Sequence, residues 1–311
     1  MAYLDSVPDF VAIGGITVDY VKTRSGLSGP AIGGNALYAA VGGWLVGSHP
    51  TIVARTGRDF PGELLKPLDA AGFDLGSIEK VDAPSFKVML DESSGARIQS
   101  YLPGSGDNSA LDPSVDTLPM MSQKAAHICG VPVSTQRKFL RALRGHAAVS
   151  TFDTVVIRGQ IEPGSSEIEE LMDWSDFFLP SIEEVAALWL ARDVESWVLA
   201  QANRGRTVVV KRGAEGAIGM SKEGDLIRME AAPAHVVDTT GAGDAYCGAF
   251  AAMFNRVADA RTAMAGAAAA ASVVIEGYGA LHAVAEDRRN DVKARATELL
   301  RKSDVRALAN E

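Results

Sequence analysis

The chain has 311 residues, 47% hydrophobic and 22% charged, with a formal net charge of -9. Such a composition suits a globular α/β protein with an ample core, and its acidity argues against a nucleic acid or an anionic membrane as partner. The longest apolar stretch, 263–275, is shorter than the roughly 20 residues that cross a bilayer, and the N-terminus lacks a signal-peptide pattern, so a cytoplasmic location is expected.

In chain order, residues 10–13 form an apolar run of strand length before Gly14-Gly15, and 16–21 read as a second strand. Residues 36–46 are an alanine-rich helix entered from Gly33-Gly34. A strand at 51–54 precedes a helix at 61–71, with Asp59 near its start and Gly72 near its end. Residues 85–90 and 96–101 flank an Asp-Glu-Ser-Ser-Gly turn and read as a hairpin, and the Pro/Gly/Ser stretch 102–113 as a loop leaving it. From 125 onward strands at 125–128, 147–152, 177–179 and 207–211 alternate with helices at 135–143, 165–173, 183–191 and 194–203. Helical patterns at 242–255, 259–275 and 285–301 follow. Strands separated by helices imply a mainly parallel sheet covered on both faces, with a small second sheet projecting from it. No repeat or linker divides the chain, so 1–311 reads as one domain.

The segment 235–250 carries the most chemistry. It reads as a short apolar strand running into Gly241-Ala242-Gly243, which opens a small-residue helix with Asp244 in its first turn. The free N–H groups and positive dipole end of a helix N-terminus attract phosphate, and glycines allow its close approach. A carboxylate beside that phosphate can take the proton of an attacking alcohol, and phosphoryl transfer needs little more. The dinucleotide fingerprint fails because Tyr246 holds its third glycine position, and no Walker pattern occurs. Cys129 and Cys247 lack metal-ligand spacing and read as reduced buried thiols, and the five histidines show no ligand spacing.

Residues 238–244 with Gly248-Ala249 resemble the C-terminal signature of the ribokinase-like, or PfkB, carbohydrate kinases. Gly33-Gly34 with the following helix, Gly57-Arg58-Asp59-Phe60-Pro61-Gly62, and Lys211-Arg212-Gly213-Ala214-Glu215-Gly216 resemble further family segments, in the family's order. The resemblance implies a three-layer ribokinase-like α/β fold with a β-sheet lid, at approximately 15–32 and 83–105. It implies ATP-dependent phosphorylation of a small sugar-like molecule, with Asp244 as base and the N–H groups of Gly241, Ala242 and Gly243 as anion hole. Asp19, Gly33, Gly34 and Asn35 would bind the acceptor, and Lys211, Gly213 and Gly216 would lie by the nucleotide. Glu184 would hold Mg2+ through water. Asp238, Thr240 and Gly279 would hold a monovalent cation, usually K+. Pairing through the lid into a homodimer is a further expectation.

Three segments depart from the family pattern. Ser181 stands where Asn opens N-x-x-E, Tyr38 where many sugar-specific members have Asn, and Asp153-Thr154-Val155 where many read D-P-N with an Arg soon after; Arg158 is the nearby candidate. Ser181 and Glu184 also spell a helix capping box. A nucleoside acceptor is the alternative within the fold, since Phe86, Tyr101 and Tyr38 can supply a stacking wall. A catalytically silent nucleotide-binding relative is the alternative outside enzymology.

Overall fold

The computed structural model describes residues 9–23, 26–91, 93, 98–154 and 166–307. The elements are β1 (Phe10–Ile13), β2 (Thr17–Thr23), β3 (Gly26–Gly33), α1 (Asn35–Leu45), β4 (Pro50–Thr56), α2 (Lys66–Ala70), β5 (Ile78–Lys80), β6 (Phe86–Asp91) and β7 (Ile98–Tyr101). They continue with α3 (Asn108–Leu111), β8 (Ala125–Ile128), α4 (Val133–Leu143), β9 (Val149–Phe152), α5 (Ser166–Trp174), β10 (Phe177–Phe178), α6 (Ile182–Trp189) and α7 (Val194–Ala202). The last are β11 (Val209–Lys211), β12 (Ala217–Met220), β13 (Asp225–Met229), α8 (Ala242–Val257), α9 (Ala260–Val274), α10 (Glu286–Lys302) and β14 (Asp304–Ala307).

Six strands form a parallel sheet in the order β10-β9-β8-β1-β4-β5. Parallel bridges Phe178 to Val208 and Ser181 to Lys211 lead from its edge to β11, which opens an antiparallel sheet β11-β12-β13-β14. Successive residues of a strand point to opposite faces. Phe10 and Ala12 accordingly enter one core with residues of α1, α8 and α9, while Val11 and Ile13 enter a second core with residues of α4, α5 and α7. The fully buried Phe-Val-Ala-Ile run of β1 therefore serves two cores at once, giving the expected three layers. The third sheet, β3-β2-β6-β7, is the lid; β2 and β6 run parallel and its other pairs antiparallel.

Several expectations need correction. No strand forms at 235–237. Val236 and Val237 are exposed, and the N–H groups of Val237 and Asp238 bond to the carbonyl of Ile275 instead of a sheet neighbour. The helix expected over 61–71 is a 3-10 turn at Gly62–Leu65 followed by the five-residue α2, because Pro67 allows entry but no longer apolar face follows. β3, β5 and β12–β14 were not foreseen. β3 is rich in Gly, Ser and Pro and owes its extended form to its pairing with β2. Residue 165, the hairpin-turn residues 92 and 94–97, and Val155 and Arg158 lie outside the described residues.

Candidate active site

The approach to α8 is shaped by two side chains. Asp238 Oδ1 accepts the Thr240 N–H at 2.9 Å and also the Thr240 hydroxyl, folding the chain into a tight turn. Gly241 follows at φ 70°, where an added Cβ would stand 2.1 Å from the Tyr38 ring. Only glycine fits there, for conformational and steric reasons together. Ala242 N–H makes a long 3.3 Å bond to the Thr239 carbonyl, whereas the N–H groups of Gly241 and Gly243 have no protein acceptor among the described residues. The expected anion hole thus offers two open donors at a helix N-terminus.

Thr240, Gly241 and Asp244 border a cavity of about 590 Å³ that also meets Asp19, Gly34 and Asn35. Asp19, on lid strand β2, accepts the Thr17 hydroxyl and is mostly buried. Gly33 lies behind it: an added Cβ would come within 1.9 Å of Asp19 Oδ2, so this glycine makes room for the carboxylate without facing the cavity. Asn35 faces the cavity, but its amide also braces the backbone. Its Oδ1 accepts Gly15 N–H at 2.7 Å, and its Nδ2 donates to Gly130 O at 2.9 Å.

A buried charge cluster lies beneath the open donors. Lys211 Nζ donates to Asp153 Oδ2 at 3.2 Å and to Cys247 Sγ at 3.1 Å, and it would stand 3.5 Å from a Cβ on Gly243. Burial opposes its charge, but Cys247, Asp153 and Glu184 outweigh burial and hold the ammonium protonated. His127 backs Asp153 at 3.7 Å, and burial pushes its pKa down to about 4, so it is neutral. Burial raises Glu184 to about 7, with Lys211 opposing and Asp153 adding to the rise. Burial and the Asp153 charge raise Asp244 to about 8 against the pull of Lys211. One ammonium faces three carboxylates, so part of the negative charge is suppressed by protonation.

Ser181 and Glu184 form the capping box at the start of α6: Glu184 Oε2 accepts Ser181 N–H at 2.6 Å, and Ser181 Oγ accepts Glu184 N–H at 3.2 Å. Gly213 and Gly216 flank the turn after β11 at φ 56° and 82° and do not reach the cavity. Gly279 sits beyond α9 at φ 69°, also away from the cavity. The segment at 57–62 is tied to the start of the lid strand β6. A Cβ on Gly57 would stand 2.2 Å from Ser85 N, Asp59 Oδ1 accepts Ser85 N–H at 2.7 Å, and Asp59 Oδ2 meets Lys87 Nζ at 2.5 Å. Sequence reasoning missed Asp112, which lines the cavity from the stretch read as a plain loop. It also missed the grouping of His127 with Asp153, whose 26-residue separation carries no spacing signal.

The family described as pfkB family carbohydrate kinase matches residues 29–287. A cytidine kinase of Thermococcus kodakarensis is 24% identical over 80% of this chain and 89% of its own length. A 2-dehydro-3-deoxygluconokinase of Thermoproteus tenax is 27% identical over 78% of this chain and 79% of its own. The structure of a putative ribokinase II from E. coli, in complex with ATP and Mg2+, superposes with a TM-score of 0.72 at 21% identity, covering 94% of this chain and 100% of that one. With a family match spanning most of its length and a ribokinase-like fold beneath it, the chain belongs to the pfkB family of carbohydrate kinases and is an ATP-dependent kinase.

Proposed function

We propose that the protein transfers the terminal phosphoryl group of ATP to a hydroxyl of a small sugar or nucleoside, with Asp244 as general base. The observation that carries this reading is the position of Asp244, one residue beyond two open N–H donors and in the same cavity as Asp19. The acceptor hydroxyl loses its proton to the Asp244 carboxylate. The Gly241 and Gly243 donors, with the dipole of α8 and the Lys211 ammonium beneath them, steady the charge of the phosphoryl group. Asp19 orients the acceptor through its other hydroxyls, and the lid excludes water that would otherwise hydrolyse ATP.

The residues fit a divalent cation, because Asp153 Oδ1 is buried without a hydrogen-bond partner among the described residues, and a cation near Glu184 would offset the burial that raises its pKa and so favour its ionised form. Glu184 would hold Mg2+ through water, and the ion would supply neutralisation of phosphate charge. Asp238 and Thr240 would serve a potassium ion, with Gly279 from the neighbouring loop. Gly213 and Gly216 keep the turn beside the nucleotide free of side chains. We read 1–311 as one catalytic unit with lid segments at approximately 15–32 and 83–105. Exposed Leu27 and Ile98 support pairing of two lids, which sedimentation at micromolar concentration tests.

The decisive experiment measures ADP release across sugars, sugar acids and nucleosides. Asp244→Asn is expected to lower turnover about 10²–10⁴-fold while leaving ATP binding nearly intact. An equal loss of ATP affinity would assign Asp244 a structural role. Absence of turnover with retained ATP binding would favour a silent relative.

A further inference from the structure

The cavity lining mixes two chemistries. Thr17, Asp19, Asn35 and Thr240 give it polar groups. Phe86 and Tyr101 of the lid, with ring centroids 5.9 Å apart, line it with Val88, Leu90, Val131 and Val133, and the β2–β6 register sets Phe86 beside Thr17 and Val88 beside Asp19. A free sugar carries hydroxyls on every side and would leave some unpaired against that wall. A flat heteroaromatic ring would stack there instead.

Asp112 lines the same cavity. Its Oδ2 accepts the Thr135 hydroxyl at 2.8 Å, and it makes no other hydrogen bond among the described residues. Burial raises its pKa, with Thr135, Lys138 and Arg55 opposing. An ionised carboxylate can only accept hydrogen bonds. It pairs with an N–H group at the edge of a ring and repels a carbonyl oxygen in the same place. Asp19 is occupied with hydroxyl recognition in the kinase reading, and Glu167 is ion-paired with Arg137 at 3.2 Å. Asp112 is the lining carboxylate left to read the rest of the acceptor.

We propose that Asp112 selects, as acceptor, a nucleoside whose base carries an exocyclic amino group, its sugar against Asp19 and its base against the lid aromatics. This inference rests on the kinase reading and names the substrate class of the same site.

The test uses the full chain with cytidine and uridine, adenosine and inosine, free ribose, and 2-dehydro-3-deoxygluconate. ADP release gives turnover, and thermal shift gives binding independently of it. The amino nucleosides should exceed their oxo counterparts by about 10-fold or more in kcat/KM. In Asp112→Asn, whose amide can donate, that ratio should narrow or invert. Unfolding curves check that the variant is folded; Asp112→Ser answers the same question should the asparagine form fail to fold. Equal use of amino and oxo bases, an unchanged ratio in the variants, or turnover of ribose or the sugar acid with nucleosides inert would overturn the inference and leave the kinase standing. Silence with every acceptor would defeat the kinase reading. Thermal shift would then decide this one alone, since binding that fails to discriminate amino from oxo bases would overturn it.

Discussion

The two sides of the cavity are built by different forces. On the phosphate side, backbones touch: a Cβ on Gly42 would stand 2.0 Å from Ala245 O, and one on Gly248 would stand 1.9 Å from Ala39 O. Behind them α9 buries a nearly continuous run of alanines. On the acceptor side, β7 is exposed along its whole length, and the junction with the lid adds hydrogen bonds and ion pairs to the close approach at Gly57. Close packing admits one arrangement, whereas polar contacts tolerate many. The packing therefore holds α8 closely against α1, while the lid side is joined by contacts that a few substitutions could change.

The sharpest test of this contrast is pH. Burial also raises Asp244 to about 8, so the carboxylate form that the proposed general base requires grows as pH rises towards that value. Between pH 6 and 8, kcat/KM should climb by up to about 50-fold, and it should level off above about pH 9. A flat profile would mean that burial leaves the base unperturbed. Linkage gives the same carboxyl a second signature. Because its folded pKa lies above the ordinary aspartate value of 3.8, the fold binds the proton more tightly than the unfolded chain does, and stability falls as pH rises through about 8. Asp244→Asn removes that loss. Its melting temperature should exceed the parent's at pH 8, and the difference should vanish near pH 4.

Next in size is Gly248→Ala. Its obstacle is the backbone of α1, which cannot swing aside, so destabilisation of about 1–3 kcal/mol is expected in urea unfolding. A neutral result would show that the helices can separate and that the phosphate side is softer than it looks. The smallest effect belongs to the lid. Asp59→Asn weakens the contact with Lys87, and acceptor KM should rise roughly 3–10-fold with little change in melting temperature. A large drop in stability with KM unchanged would make Asp59 part of the core instead of the junction.

The same contrast explains what the sequence revealed. The strands at 10–13, 51–54, 125–128 and 177–179 were legible because burial on both faces demands continuous apolar runs. The Gly-Ala-Gly turn and Asp244 were legible because a helix N-terminus written in glycine has few other uses. β3 was not, since Gly-Leu-Ser-Gly-Pro-Ala-Ile-Gly has no strand periodicity and is extended only by its neighbour. Lys211 was expected only beside the nucleotide, and no spacing announced that Asp153 and Cys247 gather around it. The Tyr38 departure gained its meaning only in three dimensions, where its ring packs against Gly241. Asp112 comes from a stretch whose composition says loop and whose site role depends on Thr135, 23 residues away.

The junction of Gly57, Asp59, Ser85 and Lys87 has a consequence for ionic strength. Asp59 is partly buried, which alone would raise its pKa, yet the Lys87 and Ser85 hydrogen bonds hold it below the usual carboxylate range. Added salt shortens the reach of such half-exposed charges, to about 3 Å at 1 M, and barely touches close-packed alanine and glycine. Salt therefore acts as a selective solvent for one half of the molecule. Raising it should slacken the lid and weaken acceptor capture while the melting temperature holds, separating in a single titration the grip of the protein from its fold.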